Sequence, residues 1–178
     1  YVPGGFTHTF KRPHYEWDVG VHAVGEVTRH SMTGRLLHHL THGRLEWASL
    51  GPVYDEFHYP EGFRIDFPDS PQAFRENLCE AFPNESKAID EYLRRVRHVS
   101  GAMKQYYLAR ALPPRLAPLT DRLVPREANR LLQERTQDVL ASMTDDPKLR
   151  SVFAAQWGYY GSPPSRSSFA MQALVVKH

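Results

Sequence analysis

The first residues that could support chemistry lie near the start of the chain, where Asp18-Val19-Gly20-Val21-His22 forms an Asp-x-Gly-x-His run. Histidine has an unperturbed pKa of about 6.5, which suits proton transfer near neutral pH. The glycine permits a tight backbone bend next to it. His22 could therefore take part in proton transfer. A buried, hydrogen-bonded structural histidine is the alternative interpretation.

The glycine pair Gly4-Gly5 is a candidate cofactor contact. Consecutive glycines let a backbone approach a cofactor where any Cβ atom would clash. A glycine pair alone is more typical of an ordinary turn, so the pair gains weight only from the residues that follow it. No Gly-x-Gly-x-x-Gly turn precedes it. That turn normally anchors a dinucleotide at a helix N-terminus, so we expect this chain alone not to hold such a cofactor tightly.

Aromatic and basic side chains surround a loop rich in glycine and proline near the end of the chain. They are Trp157, Tyr159, Tyr160 and Arg166. The aromatic rings could line an apolar channel, or they could belong to a tyrosine-rich surface loop packed on a sheet. The run 165–168 contains three serines but lacks the Gly-x-Ser-x-Gly turn of a nucleophilic serine. We interpret it as the N-cap of the last helix.

Metal and disulfide sites are not predicted. His38 and His42 have the i, i+4 spacing of a helical zinc pair, but the sequence places no third ligand beside them. A solvated helix face is the preferred interpretation. Cys79 is the single cysteine, which excludes a disulfide within the chain and any multi-cysteine metal site. It lies in an apolar helical pattern and is predicted to be buried.

A basic stretch spans residues 94–126, which contain eight basic residues and one acidic residue. Leucine, valine and tyrosine alternate with these charges. A basic amphipathic stretch of this kind is typical of a membrane-surface element. A helix that faces the core and exposes a solvated basic face is the alternative. Nucleic acid is not a predicted partner, because no binding-fold motif accompanies the charges.

Composition places the chain among ordinary globular proteins. Its 178 residues are 41% hydrophobic and 24% charged, with a net charge of +2. No run approaches the 18 or so apolar residues that a spanning helix needs. We therefore expect a cytoplasmic or peripheral membrane location. The chain begins at Tyr1 without a methionine or a signal peptide, which is typical of an internal piece of a larger protein.

The first half of the chain predicts extended structure and a hairpin. Residues 1–28 are predicted to be extended with turns, and residues 30–42 to form a helix capped by Ser31. A strand is predicted over 45–50. The hairpin signal is the clearest, because 54–59 and 63–67 each alternate apolar and polar residues on either side of a Pro-Glu-Gly turn.

The second half predicts helices. Ser70-Pro71 forms an N-cap followed by proline, and Phe74, Leu78 and Phe82 share one face of the helix that follows. Further helices are predicted over 85–111, 126–143, 146–157 with Asp145 as a possible cap, and 167–178. The predicted class is α+β, with a small antiparallel sheet beside a mainly helical lobe.

The opening of the chain resembles a segment of the flavoprotein family of phytoene desaturases, carotenoid isomerases and retinol saturases. The similarity rests on the spacing of 4–7 and 17–22. Ala23 stands where the family pattern has an aromatic residue and Gln172 where it has histidine, so the resemblance does not fix the substrate. Two later stretches resemble the retinol saturase and carotenoid isomerase branch: Leu45-Glu46-Trp47, Leu50-Gly51, Tyr54-Asp55, Phe57, Tyr59-Pro60 and Gly62, and then Gln156-Trp157-Gly158, Tyr160-Gly161, Pro163-Pro164-Ser165 and Ser167-Ser168-Phe169-Ala170.

The resemblance implies the middle part of a two-domain FAD-dependent oxidoreductase that acts on carbon–carbon double bonds of a polyene or isoprenoid lipid. Residues 1–28 would be a remnant of the FAD-binding domain, and residues 29–178 a substrate-binding and helical lid region. By the same resemblance, FAD would be contacted by Gly4, Gly5, Thr7, Gly20, Val21 and His22. Because the resemblance places His22 near the flavin, it is the candidate catalytic residue. The substrate would be contacted by Trp157, Tyr160 and Arg166. The alternative function is a non-catalytic module that binds a membrane surface or another protein.

Overall fold

The computed structural model describes residues 8–20, 24–111, 113 and 124–177. These residues form helices and two separate two-stranded antiparallel sheets, so the predicted α+β class is confirmed. The chain divides into two compact units, Tyr1–Ser49 and Leu50–His178. The assignment of 1–28 and 29–178 to an FAD-binding remnant and a substrate region stays a prediction.

The first unit contains a hairpin and one helix. Strands β1 (Thr9–Arg12) and β2 (Tyr15–Asp18) pair in antiparallel register, and every residue of both strands is exposed. Helix α1 (Met32–Leu40) begins where the Ser31 hydroxyl accepts a hydrogen bond from the Gly34 amide, as predicted. Gly34 is required here, because a Cβ atom would collide with the backbone of residues 27 and 28.

The second unit begins with the predicted hairpin. Strand β3 (Val53–His58) pairs with β4 (Arg64–Pro68) across a single 3-10 turn, Pro60–Gly62. Ile65 and Phe67 are buried on one face of the pair. The Phe67 ring lies 4.6 Å from the ring of Phe74, which joins the hairpin to the next helix. The period-two pattern therefore predicted this element correctly.

Six helices follow the hairpin among the described residues. Helix α2 (Pro71–Ala81) is capped by Ser70 and buries Phe74 and Leu78. A 3-10 turn, Pro83–Glu85, leads into the long helix α3 (Ser86–Ala111). The others are α4 (Val124–Gln133), α5 (Thr136–Ala141), α6 (Pro147–Ala154), which continues as a 3-10 turn (Ala155–Tyr159), and α7 (Phe169–Val176).

Helix α3 is the centre of the core. It packs against α7, α4 and α2, and it buries Ile89, Tyr92, Val99 and Met103 completely. The Tyr92 ring stacks on the ring of Phe153 in α6, with centroids 4.0 Å apart and planes 6° from parallel. Side chains of four other helices of the second unit, α2, α4, α6 and α7, therefore pack on α3.

Two predicted elements are wrong. Residues 44–50 form neither strand nor helix, although their sequence favours a strand. The helix predicted over 126–143 is broken between α4 and α5, because Arg135 is extended (φ −72°, ψ 137°) and pairs with Ser168 in an isolated β-bridge. Among the described residues, no strand pairs with 44–50. In 126–143, the bridge to Ser168 interrupts the helix.

Three details also need correction. Helix α6 is capped by Asp146 and not by Asp145, because the Asp146 carboxylate accepts hydrogen bonds from the amides of Lys148 and Leu149. That helix ends at Ala154, where a 3-10 turn replaces the predicted α-helix up to Trp157. Cys79 is half-buried at the edge of the core and not enclosed by it.

Truncation of Leu78 should destabilise the second unit strongly. Its side chain is fully buried, and Leu→Ala at such a site leaves a cavity that costs about 2–5 kcal/mol. Leu108→Ala removes the same atoms from a side chain that is 51% exposed and should change the free energy of unfolding by less than about 0.5 kcal/mol. Urea denaturation of both variants checks this. Equal losses would contradict the described core.

Candidate functional site

The described part of the Asp-x-Gly-x-His run lies at the end of the first hairpin. Asp18 is the last residue of β2, and the Val19 amide donates to the carbonyl of His8 at 2.8 Å, which continues the ladder by one bond. Gly20 then has φ +79°, in the left-handed region that favours glycine. The chain therefore does bend at Gly20. Its contact with a cofactor stays a prediction.

The other residues predicted to contact the cofactor lie outside the described residues. They are Gly4, Gly5, Thr7, Val21 and His22. The candidate catalytic role of His22 likewise stays a prediction. Ala23, one of the two departures from the family pattern, also falls outside the described part of the chain.

The aromatic loop 155–168 presents two of its rings to solvent. Trp157 and Tyr159 lie on the 3-10 turn that extends α6, and they are 43% and 55% exposed. The Tyr159 hydroxyl donates to a carboxylate oxygen of Asp55 at 2.8 Å, which joins the loop to strand β3. Partial burial and this hydrogen bond raise the pKa of Tyr159 to about 12, so its phenol stays neutral. Arg166 is exposed.

Tyr160 points inward. Its hydroxyl donates to the side-chain oxygen of Gln172 at 2.8 Å, and the Gln172 amide nitrogen donates to the carbonyl of Phe153 at 2.8 Å. Gln172 is fully buried in α7. Its amide supplies one acceptor and one donor, so a neutral side chain satisfies both neighbours where the family pattern has histidine. Tyr160 thus anchors the loop to the core.

The polar contacts continue on both sides of Tyr160. On one side, the Tyr160 hydroxyl lies 3.5 Å from the Ser167 hydroxyl, which is 3.0 Å from the hydroxyl of buried Thr136. On the other, buried Gln156 donates to the Tyr54 hydroxyl at 3.2 Å. Burial raises the pKa of Tyr54 to about 12, which keeps that phenol neutral as well. These contacts tie both ends of the loop to the helices and the hairpin.

Sequence reasoning assigned no role to Gln156 or Gln172, although a signal existed. Gln156 follows Leu149, Val152 and Phe153 at helical spacing, so it occupies a position on the apolar face. A polar side chain at such a position is buried and must find partners. The side-chain oxygen of Gln156 is buried without a hydrogen-bond partner among the described residues.

An open groove of about 930 Å³ lies beside α3 in the second unit. Its walls come from the end of β4, the first turns of α2, one face of α3 and the end of α7. Arg75 and Asp90 form a bidentate ion pair in it, at 2.6 and 3.0 Å. The hydrogen bond from Arg75, with the further charge of Arg97, holds the pKa of the Asp90 carboxyl below its usual range. Trp157, Tyr160 and Arg166 are not among its lining residues.

The basic stretch divides into two parts. Over 94–103, the apolar side of α3 packs into the core, where Val96, Val99 and Met103 are buried. On the same half of α3, Arg95 pairs with Glu134, the residue that follows α4. The solvated-face interpretation therefore fits this part. Further along, Tyr107 and Leu108 are exposed, and residues 114–123 lie outside the described part.

The described residues contain no group of three or more histidine, cysteine, aspartate or glutamate side chains arranged to hold a metal ion. His42 lies beyond the end of α1 with φ +52°, so it does not share a helical face with His38 as the sequence spacing suggested. In the same part of the chain, no helix has the length and apolar character needed to cross a membrane.

Comparison with known proteins identifies relatives along almost the whole chain. An all-trans-retinol 13,14-reductase of Danio rerio is 34% identical, and one of Homo sapiens is 33% identical. Both alignments cover 98% of this chain and 30% of the relative. The chain belongs to the retinol saturase-like family. It spans about 30% of the length of these curated relatives.

Family membership does not rest on a short motif, because the aligned region includes both compact units. A protein of Danio rerio named inactive all-trans-retinol 13,14-reductase is also similar, at 24% identity over 98% of this chain and 30% of its own length. No family model and no solved structure matches the chain.

Removal of the Tyr160 hydroxyl should destabilise the protein more than removal of the Tyr159 hydroxyl. Tyr160→Phe leaves the oxygen of buried Gln172 without its donor, and such a loss costs about 1–3 kcal/mol. Tyr159→Phe removes the same atom at a surface where water can replace it, and the loss should be smaller. Urea denaturation of both variants measures the difference. Equal effects would contradict the inward anchoring of Tyr160.

Proposed function

We propose that this chain is part of an FAD-dependent oxidoreductase that acts on a carbon–carbon double bond of a polyene or isoprenoid lipid. The main support is the similarity over 98% of the chain to relatives named all-trans-retinol 13,14-reductase. Retinol is a conjugated polyene, and the name describes a reduction of one of its double bonds. The reaction of this protein could be saturation, desaturation or isomerisation of the same kind of bond.

The bend at Gly20 supports a flavin beside the first hairpin. Its left-handed backbone lacks a Cβ atom, so the chain end of β2 can approach a planar ring closely. In this proposal Gly4, Gly5 and Thr7 hold the cofactor, and 20–22 lie beside its ring. FAD, when bound, supplies the exchange of hydride or electrons with the conjugated double bond.

His22 is proposed to hold or move the proton that accompanies this exchange. A histidine has an unperturbed pKa near the operating pH, so its imidazole can donate or accept a proton at little cost. The residue follows the bend at Gly20 by two positions in sequence. The alternative role, a hydrogen-bonding strut, would affect stability and not turnover.

The aromatic loop is proposed to present an apolar surface to the substrate. Trp157 exposes 43% of its surface, although Tyr160 beside it is anchored on buried Gln172. An exposed ring on an anchored turn can contact an apolar chain without a large loss of conformational entropy. Arg166 would add a cation at the edge of the same loop. The loop would thus orient the polyene and exclude water from one side.

Two substitutions in the whole protein test the flavin site. Gly5→Val should empty it, because a branched side chain would occupy the space that the cofactor needs. Gly101→Val is the matched control, since the position of its Cβ atom in α3 is open for at least 4 Å. Flavin absorbance of the purified variants is the measurement. A fully loaded Gly5→Val variant would identify the glycine pair as an ordinary turn.

His22→Ala should retain FAD and lose turnover by about 10²-fold or more. His58→Ala, a change at an exposed histidine of β3, is the control and should leave turnover unchanged. Flavin content, melting temperature and turnover are measured on one preparation. Normal turnover with a lower melting temperature would remove His22 from the mechanism. Turnover must be measured directly, because one relative is named inactive.

A second candidate function is peripheral attachment to a membrane through the last turns of α3. Tyr107 and Leu108 are 55% and 51% exposed there. Arg110 lies over the Tyr106 ring at 5.2 Å, and Lys104 lies six residues before Arg110 on the same helix. Exposed apolar and basic side chains on one helix end are typical of a surface that contacts anionic lipid. In this proposal the contact is made by 104–110, within the predicted stretch 94–126.

Lys104→Glu with Arg110→Glu should abolish co-sedimentation with anionic vesicles at low salt. Charge attraction is screened beyond about 10 Å at 0.1 M salt, so binding of the unchanged protein should weaken as salt rises. Arg35→Glu with Arg44→Glu changes the net charge equally on exposed residues of the first unit and is the control. Arg95 is left unchanged because it pairs with Glu134. Failure of the unchanged protein to sediment would contradict this function.

A further inference from the structure

The groove beside α3 has the size and lining of a ligand site. Its volume of about 930 Å³ is within the range of about 300–1,000 Å³ that is usual for small-molecule sites. Phe74 and Val96 are buried at its base, and Tyr54, Leu93 and Val176 contribute half-buried apolar surface. Because side chains of three helices and the hairpin contribute, the base is part of the folded core.

The rim of the groove carries an excess of positive charge. Asp90 and Glu91 are paired with Arg75 and Arg94. The lining also includes three further cations and one further carboxylate. These are Lys87, Arg97, Lys177 and Asp69. Arg97 interacts with Asp90 as well, but that carboxylate already accepts both hydrogen bonds of the Arg75 fork. The charge balance of the lining therefore favours an anionic group in the groove.

We propose that this groove binds a single-chain amphiphile with an anionic head, a carboxylate or a phosphate monoester. The apolar chain lies on Tyr54, Leu93 and Val176. The head lies against Arg97 and Lys177, where the planar guanidinium can donate two parallel hydrogen bonds to two oxygens. The volume and the apolar base of the groove fit the apolar chain of the amphiphile, and the basic rim fits the negative charge of its head.

The described residues assigned to the flavin and to the polyene do not line this groove, and the groove proposal does not depend on the proposed function. The residues assigned to the polyene, Trp157, Tyr160 and Arg166, do not line it. A failure of the groove to bind amphiphiles would leave the oxidoreductase proposal intact. A failure of the flavin experiments would likewise leave the groove proposal intact.

The experiment is displacement of a dansyl-labelled long-chain fatty acid from the purified protein. The label should bind saturably at one site per chain. Palmitate and hexadecyl phosphate should both displace it, and the relative strength of the two identifies the preferred head. Hexadecanol has the same chain without the charge and should compete about tenfold more weakly, a difference of about 1.4 kcal/mol. Acetate and inorganic phosphate should not displace the label, because they lack the chain.

Two variants locate the site. Arg97→Gln with Lys177→Gln should weaken palmitate about tenfold and leave hexadecanol unchanged, whereas Leu93→Gln should weaken both. Arg35→Gln with Arg44→Gln also removes two positive charges, from exposed residues of the first unit; it is the matched charge control and should change neither. Arg97 is exposed, so its removal should preserve the melting temperature. Absence of saturable binding, equal competition by acid and alcohol, or equal effects of the rim variant and the control would each overturn the proposal.

Discussion

One backbone carbonyl, that of Phe153, joins the three helices on which the second unit depends. It lies in the last turn of α6, where carbonyl groups have no amide partner within the helix. The Tyr92 hydroxyl donates to it at 2.9 Å and the Gln172 amide at 2.8 Å. The Phe153 ring also stacks on Tyr92. Helices α3, α6 and α7 are therefore fixed at one point by hydrogen bonds and by apolar contact together.

The conformation of the aromatic loop 155–168 depends on the hydrogen bonds at the Phe153 carbonyl. The hydrogen bond of Gln172 to Phe153 fixes the orientation of its amide, so its oxygen faces the Tyr160 hydroxyl. Beyond Tyr160, the carbonyl of Ser167 accepts a hydrogen bond from the amide of Thr136 at 2.9 Å. The bridge between Arg135 and Ser168 lies beside it. Long-range hydrogen bonds thus fix both ends of the loop. Between those ends, the seven residues 158–164 include two glycines and two prolines.

The parts of the fold that could be predicted are those determined by neighbours in sequence. The hairpin follows from period-two alternation on both sides of Pro60–Gly62, and α2 from Ser70-Pro71 with apolar residues four apart. The break at Arg135 could not be predicted, because its partner Ser168 is more than thirty residues away. Residues 45–50 contain β-prone side chains, but a strand also needs a partner, and local sequence does not specify one.

The candidate site also has a part that neighbouring residues determine and a part that depends on distant residues. Glycine in the Asp-x-Gly run predicts a bend, and Gly20 has the positive φ that such a bend requires. The aromatic residues of the loop were identified by type, but their directions were not. Tyr159 faces Asp55 and Tyr160 faces Gln172, because the partners come from β3 and α7. Side-chain direction depends on those distant residues, so neighbours in sequence could not determine it.

Helix α3 can contribute to the core, to the groove and to an exposed surface at once, because these use different segments and sides of the helix. Its apolar side packs in the core from Ala88 to Met103. Over 87–97, charged side chains on another side form one wall of the groove. Only after Met103 does the apolar side reach solvent, where Tyr107 and Leu108 are exposed. A basic amphipathic pattern read from sequence alone therefore combines a core contact, a groove wall and an exposed end. Among the described residues of α3, this exposed end is where the apolar side is presented to solvent.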